Sequence, residues 1–275
     1  MKLLIFGGII LNTIIPEKEL NNLADRLLQV YESRSPIDFY SNEIYLDEEA
    51  AYSLQNKLIQ KKCELYNEKV CGYKVSMTSP ETQSLFDTNE PAYGTLTTSS
   101  ILYDSSTISL ESMFEPLLEP ELMIILKEDL SVGATEEEVF NKCEIAAGIE
   151  IPDSRFKKWF PNFKLMDLIS DNGVTGKVVI SDKSKYTGDF EGLENIKMEL
   201  YYNGKKIKEG VSSVVMGNPL SSVVWLSNKL GKYNKYLKKG MMISSGTFIN
   251  PIPIKQGRYK AFFQGVGSIE VYFSN

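Results

Sequence analysis

The sequence predicts an α+β fold: a small N-terminal helical unit with its leading extension over residues 1–70, then a strand-rich body over residues 71–275. Two observations carry this. Apolar residues recur at helical spacing through the first segment, and after about residue 70 the pattern changes to strands and turns. Helices first and strands after is the order of an α+β chain, not of alternating α/β units.

Leu20, Leu23, Leu27, Leu28 and Tyr31 form one apolar stripe on a helix from Glu17 to Ser33. Asp47 is placed to cap a second helix, with Leu54, Leu58 and Leu65 among its apolar positions. Gly72 to Met77 reads as extended, and Leu117 to Lys127 and Glu144 to Ile151 as longer strands. Lys197–Tyr202 and Lys205–Glu209 flank Asn203-Gly204, the signature of a hairpin with a type I′ turn. A short helix is expected over Ser222–Leu230, and a closing strand pair over Tyr259–Gln264 and Ser268–Phe273. At the other end, Leu3 to Ile15 is mostly apolar. It lacks a small-x-small cleavage site and falls short of the roughly 20 residues that span a bilayer, so it reads as a packed N-terminal extension.

The 275 residues are 43% hydrophobic and 24% charged, ample for a core. A net charge of −6 excludes nucleic-acid binding by bulk electrostatics. Lys205, Lys206 and Lys208, and Lys238 with Lys239, read as solvated rims. Cys63, Cys71 and Cys143 are odd in number and show no CxxC spacing. They argue against a disulfide framework or a zinc site and for a reducing compartment, with the cytoplasm as the expected location. The chain has no histidine. That removes the commonest general base and the commonest soft-metal ligand, leaving carboxylates, lysine, hydroxyls, or a hard cation held by oxygen.

Glu119-Pro120-Glu121 stands at the head of an apolar run, and Glu150 lies in a second one, Ala146 to Ile151. On a strand, residues i and i+2 share a face, so Glu119 and Glu121 project together. Pro120 has no N–H, which predicts an edge or a bulge that exposes the pair. Three such carboxylates suit magnesium or manganese. Spacing alone favours a solvated strand face with Glu150 as an ion-pair partner over a metal site, since 36 acidic residues make coincidence easy.

Several motifs occur in a fixed order: Gly72-Tyr73-Lys74-Val75-Ser76-Met77-Thr78-Ser79, Pro91-Ala92-Tyr93-Gly94, Glu119-Pro120-Glu121, and Ile149-Glu150-Ile151-Pro152-Asp153-Ser154-Arg155. Asp171-Asn172, Gly217-Asn218-Pro219, Val224-Trp225-Leu226, Ser245-Gly246 and Val266-Gly267-Ser268 follow. From about residue 20 onward the chain resembles the 2-keto-4-pentenoate hydratase / 4-oxalocrotonate decarboxylase family, of the fumarylacetoacetase-like superfamily. The resemblance implies a mixed β body and a site where Glu119, Glu121 and Glu150 bind magnesium or manganese. It further implies a 2-oxo acid substrate held on the metal and chemistry through a metal-stabilised enolate. Lys74 matches the family's active-site lysine, expected to bind the substrate carboxylate or assist proton transfer, and Asp171, Ser245 and Thr247 are expected to contact substrate. It also implies that a complex with a sister family subunit is an alternative assembly. The apolar content of the strand-rich body and the N-terminal apolar run make a homo-oligomer the expected assembly, and charge and run length leave no role for nucleic acid or membrane.

Three positions depart from the family pattern. Where hydratases carry an acid, this chain has Ala92, which tilts the reading towards decarboxylation. Val174 and Ile249 replace hydroxyl-bearing residues near the expected pocket, each change forfeiting a hydrogen bond of about 1 kcal/mol. Neighbouring Thr175, Thr247 or Asn250 would have to substitute, or the substrate differs. A C–C hydrolase of the acylpyruvase type is disfavoured by the lack of histidine. A non-catalytic partner subunit remains the other alternative.

Overall fold

The computed structural model describes residues 15–275, so the apolar run before Ile15 lies outside the described residues. Helices α1 (Glu17–Ser33) and α2 (Glu48–Tyr66) open the chain. Strand β1 (Val70–Ser76), α3 (Pro80–Leu85), β2 (Ala92–Thr97), β3 (Ile101–Tyr103) and β4 (Ser106–Ser109) follow. The middle holds β5 (Leu117–Leu126), α4 (Glu136–Asn141), β6 (Cys143–Ile151), α5 (Trp159–Asn162), α6 (Leu165–Ser170) and β7 (Lys177–Lys185). The last third comprises β8 (Lys197–Tyr202), β9 (Lys205–Val211), α7 (Pro219–Gly231), β10 (Met242–Thr247), β11 (Ile252–Pro253), β12 (Gly257–Phe263) and β13 (Gly267–Ser274).

Local chemistry explains the elements that the sequence foreshadows. Asp47 caps α2 by accepting from the Ala50 N–H at 2.8 Å. The stripe on α1 buries Leu20, Leu23, Ala24, Leu27 and Val30, whereas Leu65, in the last turn of α2, stays 53% exposed. Asn203 and Gly204 both have positive φ, as a type I′ turn between β8 and β9 demands. Asn218 accepts from the Leu220 N–H and Pro219 starts α7, which contains the expected helix and begins three residues before it.

One sheet runs β2-β1-β10-β5-β6-β7-β3, with β11 pairing β5 at its far end; the other runs β4-β13-β12-β8-β9. Strand β1 is parallel to β10 and antiparallel to β2, and β5 lies antiparallel between β10 and β6. The main apolar core is continuous from α1 and α2 into both sheets. Gln55 of α2 ties the helices to the body by donating to the Tyr93 and Ile169 carbonyls, both at 2.9 Å. The three thiols are free. Burial pushes Cys143 up to about 12 and Cys71 to about 11, which keeps both protonated and inert. Lys206 and Lys238 sit at exposed rims in ion pairs with Glu199 and Asp129.

Pro120 corrects the expectation of an exposed edge. It lies mid-sheet, opposite Ile149 on β6, and the β10 register shifts on its other side between Ser244 and Thr247. The missing N–H is thus accommodated by an irregular β10, not by a free edge. Glu121 is consequently fully buried and Glu119 half-buried.

Candidate metal centre

Glu119 and Glu121 project from β5, and Glu150 stands directly opposite Glu119 on β6. The three offer oxygens that all lie within 4.8 Å of one another. The Lys74 ammonium, carried in by β1, lies 3.0 Å from Glu150 Oε1, with both side chains at most 3% exposed. Lys74 also donates to Ser76 Oγ at 2.5 Å, two residues on along the same strand face. Glu121 Oε2 accepts from the Ser244 hydroxyl at 2.5 Å and the Gly246 N–H at 2.8 Å, both supplied by the irregular stretch of β10.

These contacts do not satisfy the carboxylates. Glu121 Oε1 and both Glu150 oxygens are buried without a hydrogen bond, although Glu150 Oε1 is ion-paired to Lys74. Burial, reinforced by Glu150, pushes Glu119 up to about 8, while Lys74 pulls it back. Glu121 is held well above the usual carboxylate range by burial and by its two acidic neighbours, against its bonds to Ser244 and Gly246. A buried all-oxygen set with unsatisfied acceptors and mutual repulsion fits a hard divalent cation.

The centre meets a cavity of about 930 Å³ whose lining includes Lys74, Ser76, Glu119 and Thr247. Its walls are mostly apolar and include Phe86, Trp159, Phe163, Val174, Phe248 and Ile249. Val174 and Ile249 therefore stand where the sequence places them, while Ala92 is buried opposite Ser76 and is not part of the lining. Thr247 faces the cavity with its hydroxyl donated to the Ile249 carbonyl at 3.1 Å. Ser245 is buried between the two residues that hold Glu121, and its own hydroxyl has no partner.

Asp171, expected at the substrate, is not brought to this group. It is buried against Arg155, whose Nε lies 2.5 Å from Oδ1, while Oδ2 accepts from Ser154 Oγ at 2.7 Å and the Arg155 N–H at 2.9 Å. With both oxygens engaged it is scaffold. It anchors the turn Asn172-Gly173-Val174, in which all three residues have positive φ. Asn172 docks that turn on β2 through paired bonds to the Thr95 N–H and carbonyl. The approach is so close that a Cβ on Gly94 would lie 2.2 Å from the Asn172 carbonyl oxygen. Sequence reasoning missed Ser76, Ser244 and Gly246. Strand alternation from Lys74 points to Ser76, whereas Ser244 and Gly246 emerge only once β10 is known to pair with β5.

No family model matches the chain. It is 31% identical over 231 residues to a 2-hydroxyhexa-2,4-dienoate hydratase of Comamonas testosteroni, covering 82% of this chain and 86% of that one. It is 28% identical over 259 residues to a 2-keto-4-pentenoate hydratase of Paraburkholderia xenovorans, covering 92% and 94%. The structure matches 4-oxalocrotonate decarboxylase from Pseudomonas putida G7, complexed with magnesium and adipate, at a TM-score of 0.88 and 22% identity over 96% of this chain and all of that one. With its helices-first, strand-rich architecture and these relatives, the chain belongs to the 2-keto-4-pentenoate hydratase / 4-oxalocrotonate decarboxylase family, on the fumarylacetoacetase-like fold.

Proposed function

We propose that the protein is a divalent-cation-dependent lyase acting on 2-oxo or 2-hydroxydienoate acids, with Glu119, Glu121 and Glu150 as ligands of magnesium or manganese. The observation that carries this reading is the three-carboxylate cluster, with unsatisfied buried oxygens, which meets a large cavity through Glu119 beside the buried Lys74. Bound there, the cation would supply Lewis-acid polarisation of the substrate's 2-oxygen.

The rest falls to the chain's own groups. Lys74 presents a buried positive charge in the cavity lining, where a substrate carboxylate gains most from it. Its Nζ is also a candidate proton donor to the substrate, and Ser76 and Glu150 fix its position. Ser244 and Gly246 orient Glu121, and the mostly apolar walls lower the polarity around the site.

Two lyase forms divide on separate observations. Ala92 supplies no proton for adding water, which favours decarboxylation. Among the described residues the walls offer no buried cation for the second carboxylate that decarboxylation would remove, which favours hydration. Purified protein with magnesium is given 2-hydroxymuconate and, separately, 2-hydroxypenta-2,4-dienoate. Carbon dioxide release identifies a decarboxylase, and loss of diene absorbance with water uptake identifies a hydratase. Turnover of neither compound sinks the proposal.

A further inference from the structure

Left-handed backbone points to what the apolar part of this cavity's lining holds. Outside glycine, the described residues with positive φ are mostly polar, and Asn and Asp tolerate that region well. Three are apolar: Met77 at φ 57, Val174 at φ 52 and Met216 at φ 51. A β-branched residue in this region is a true outlier, and such outliers cluster at ligand clamps. All three line the one cavity above the carboxylates. They come from three separate loops, after β1, after α6 and before α7. The Met216 N–H donates to the Thr78 carbonyl at 3.0 Å, tying two of those loops together. The third is pinned by the Asn172 and Arg155–Asp171 contacts.

Around these side chains the wall stays apolar. Phe86 and Phe163 stack with centroids 4.3 Å apart, and Ile249 lies in the same lining. Among the described residues the lining holds one cation beyond Lys74, Lys208, which is exposed, as are Glu81 and Glu209 of the same lining. A second substrate carboxylate reaching Lys208 would remain in water beside two like charges, and one stopping short would be desolvated against carbon.

We propose that Met77, Val174 and Met216 form a specificity-determining recess for an uncharged, apolar tail, alkyl or aryl, carried by a 2-oxo or 2-hydroxydienoate monocarboxylate. The inference rests on the function proposed above for the head-group end, and it takes that function towards water addition.

The test is calorimetric binding to the protein with magnesium. Oxalate probes the head site alone; straight-chain 2-oxo acids from 2-oxobutanoate to 2-oxooctanoate probe the tail; 2-oxoadipate carries a second carboxylate on the 2-oxohexanoate skeleton. Affinity should rise roughly fourfold per added methylene, the value of burying one CH₂, and 2-oxoadipate should bind at least about tenfold more weakly than 2-oxohexanoate. Replacing Val174 with serine (V174S) should flatten the methylene series. So should M216N, which places a residue suited to positive φ at a half-buried position and keeps a folded variant available if V174S does not fold. Oxalate binding with a flat wild-type series, or 2-oxoadipate binding as tightly as 2-oxohexanoate, overturns the recess and leaves the head site standing. Failure of oxalate to bind overturns the head site, and this inference with it.

Discussion

Glu119 and Glu150 are direct cross-strand partners in the β5–β6 ladder, with ligand oxygens no more than 4.8 Å apart. Like charges placed opposite one another destabilise a sheet. Lys74 offsets the charge of Glu150, but no cation among the described residues pairs with Glu119 or Glu121. The sheet carries this repulsion as a standing cost that a proton or a divalent cation relieves.

Removing one of the charges should therefore stabilise the metal-free protein. In chelator at pH 8, E119Q is expected to unfold at a higher urea midpoint than wild type, a gain of roughly 1–2 kcal/mol. Magnesium should stabilise wild type and leave E119Q nearly unchanged. A destabilised E119Q that still responds to magnesium would remove Glu119 from the metal site.

The same relationship sets a pH dependence. Glu119 is raised from an ordinary 4.5 to about 8, chiefly by burial and Glu150. Between those values the folded, metal-free protein holds a proton that the unfolded chain has released. Stability therefore falls as pH rises through the window: the contribution is complete below about pH 4.5 and gone above about pH 8. Each such proton adds a slope of up to about 1.4 kcal/mol per pH unit. Urea titrations in chelator should show a steeper decline for wild type than for E119Q, and magnesium should stabilise more at pH 8 than at pH 6. Parallel curves for the two proteins would refute the assignment.

Lys74 is buried and 3.0 Å from Glu150. Changing it to methionine leaves a buried carboxylate without its counter-charge, which costs about 3–5 kcal/mol. K74M should be strongly destabilised in chelator and partly rescued by magnesium, with kcat/KM down at least roughly 100-fold. Arginine is no substitute, because its planar fork does not fit the space of a compact ammonium between Glu150 and Ser76. Activity of K74R within a few-fold of wild type would limit Lys74 to a bulk electrostatic role.

What was legible in the sequence followed from local rules. The stripe of α1, the Asp47 cap and the Asn203-Gly204 turn each depend on a few neighbouring residues, and each is found where expected. The i, i+2 placement of Glu119 and Glu121 on one strand face is likewise local. Long-range pairing was hidden. Pro120 suggested an edge because nothing near it reveals that β10, more than 120 residues later, bends to accommodate it. Ser244 reaches Glu121 only through that same pairing. Asp171 reads as a pocket acid until Arg155 is seen to occupy it, and no periodicity announces the left-handed turn that follows it.

Asp171 and Arg155 give a test that separates scaffold from site. D171N removes the charge that compensates a fully buried guanidinium, at a cost of about 3–5 kcal/mol. Its urea midpoint should drop sharply, while the folded fraction binds magnesium with unchanged affinity. A stable D171N with a raised KM alone would return Asp171 to the substrate.

Ser244 offers the finest probe of the metal site, because it touches a ligand without being one. Its hydroxyl and the Gly246 N–H converge on a single oxygen of Glu121, leaving Oε1 directed elsewhere and unsatisfied. Removing the hydroxyl should let the Glu121 carboxylate rotate and should release the bond that favours its charged form. S244A is expected to lose about 10–100-fold in magnesium affinity, the usual effect of deleting a partner of a ligating group. The loss should be larger at pH 6 than at pH 8, because the freed carboxyl holds its proton more tightly. Calorimetric titration of magnesium at the two pH values measures both effects. An S244A protein with wild-type affinity at both would show that the Gly246 N–H alone sets the orientation of Glu121.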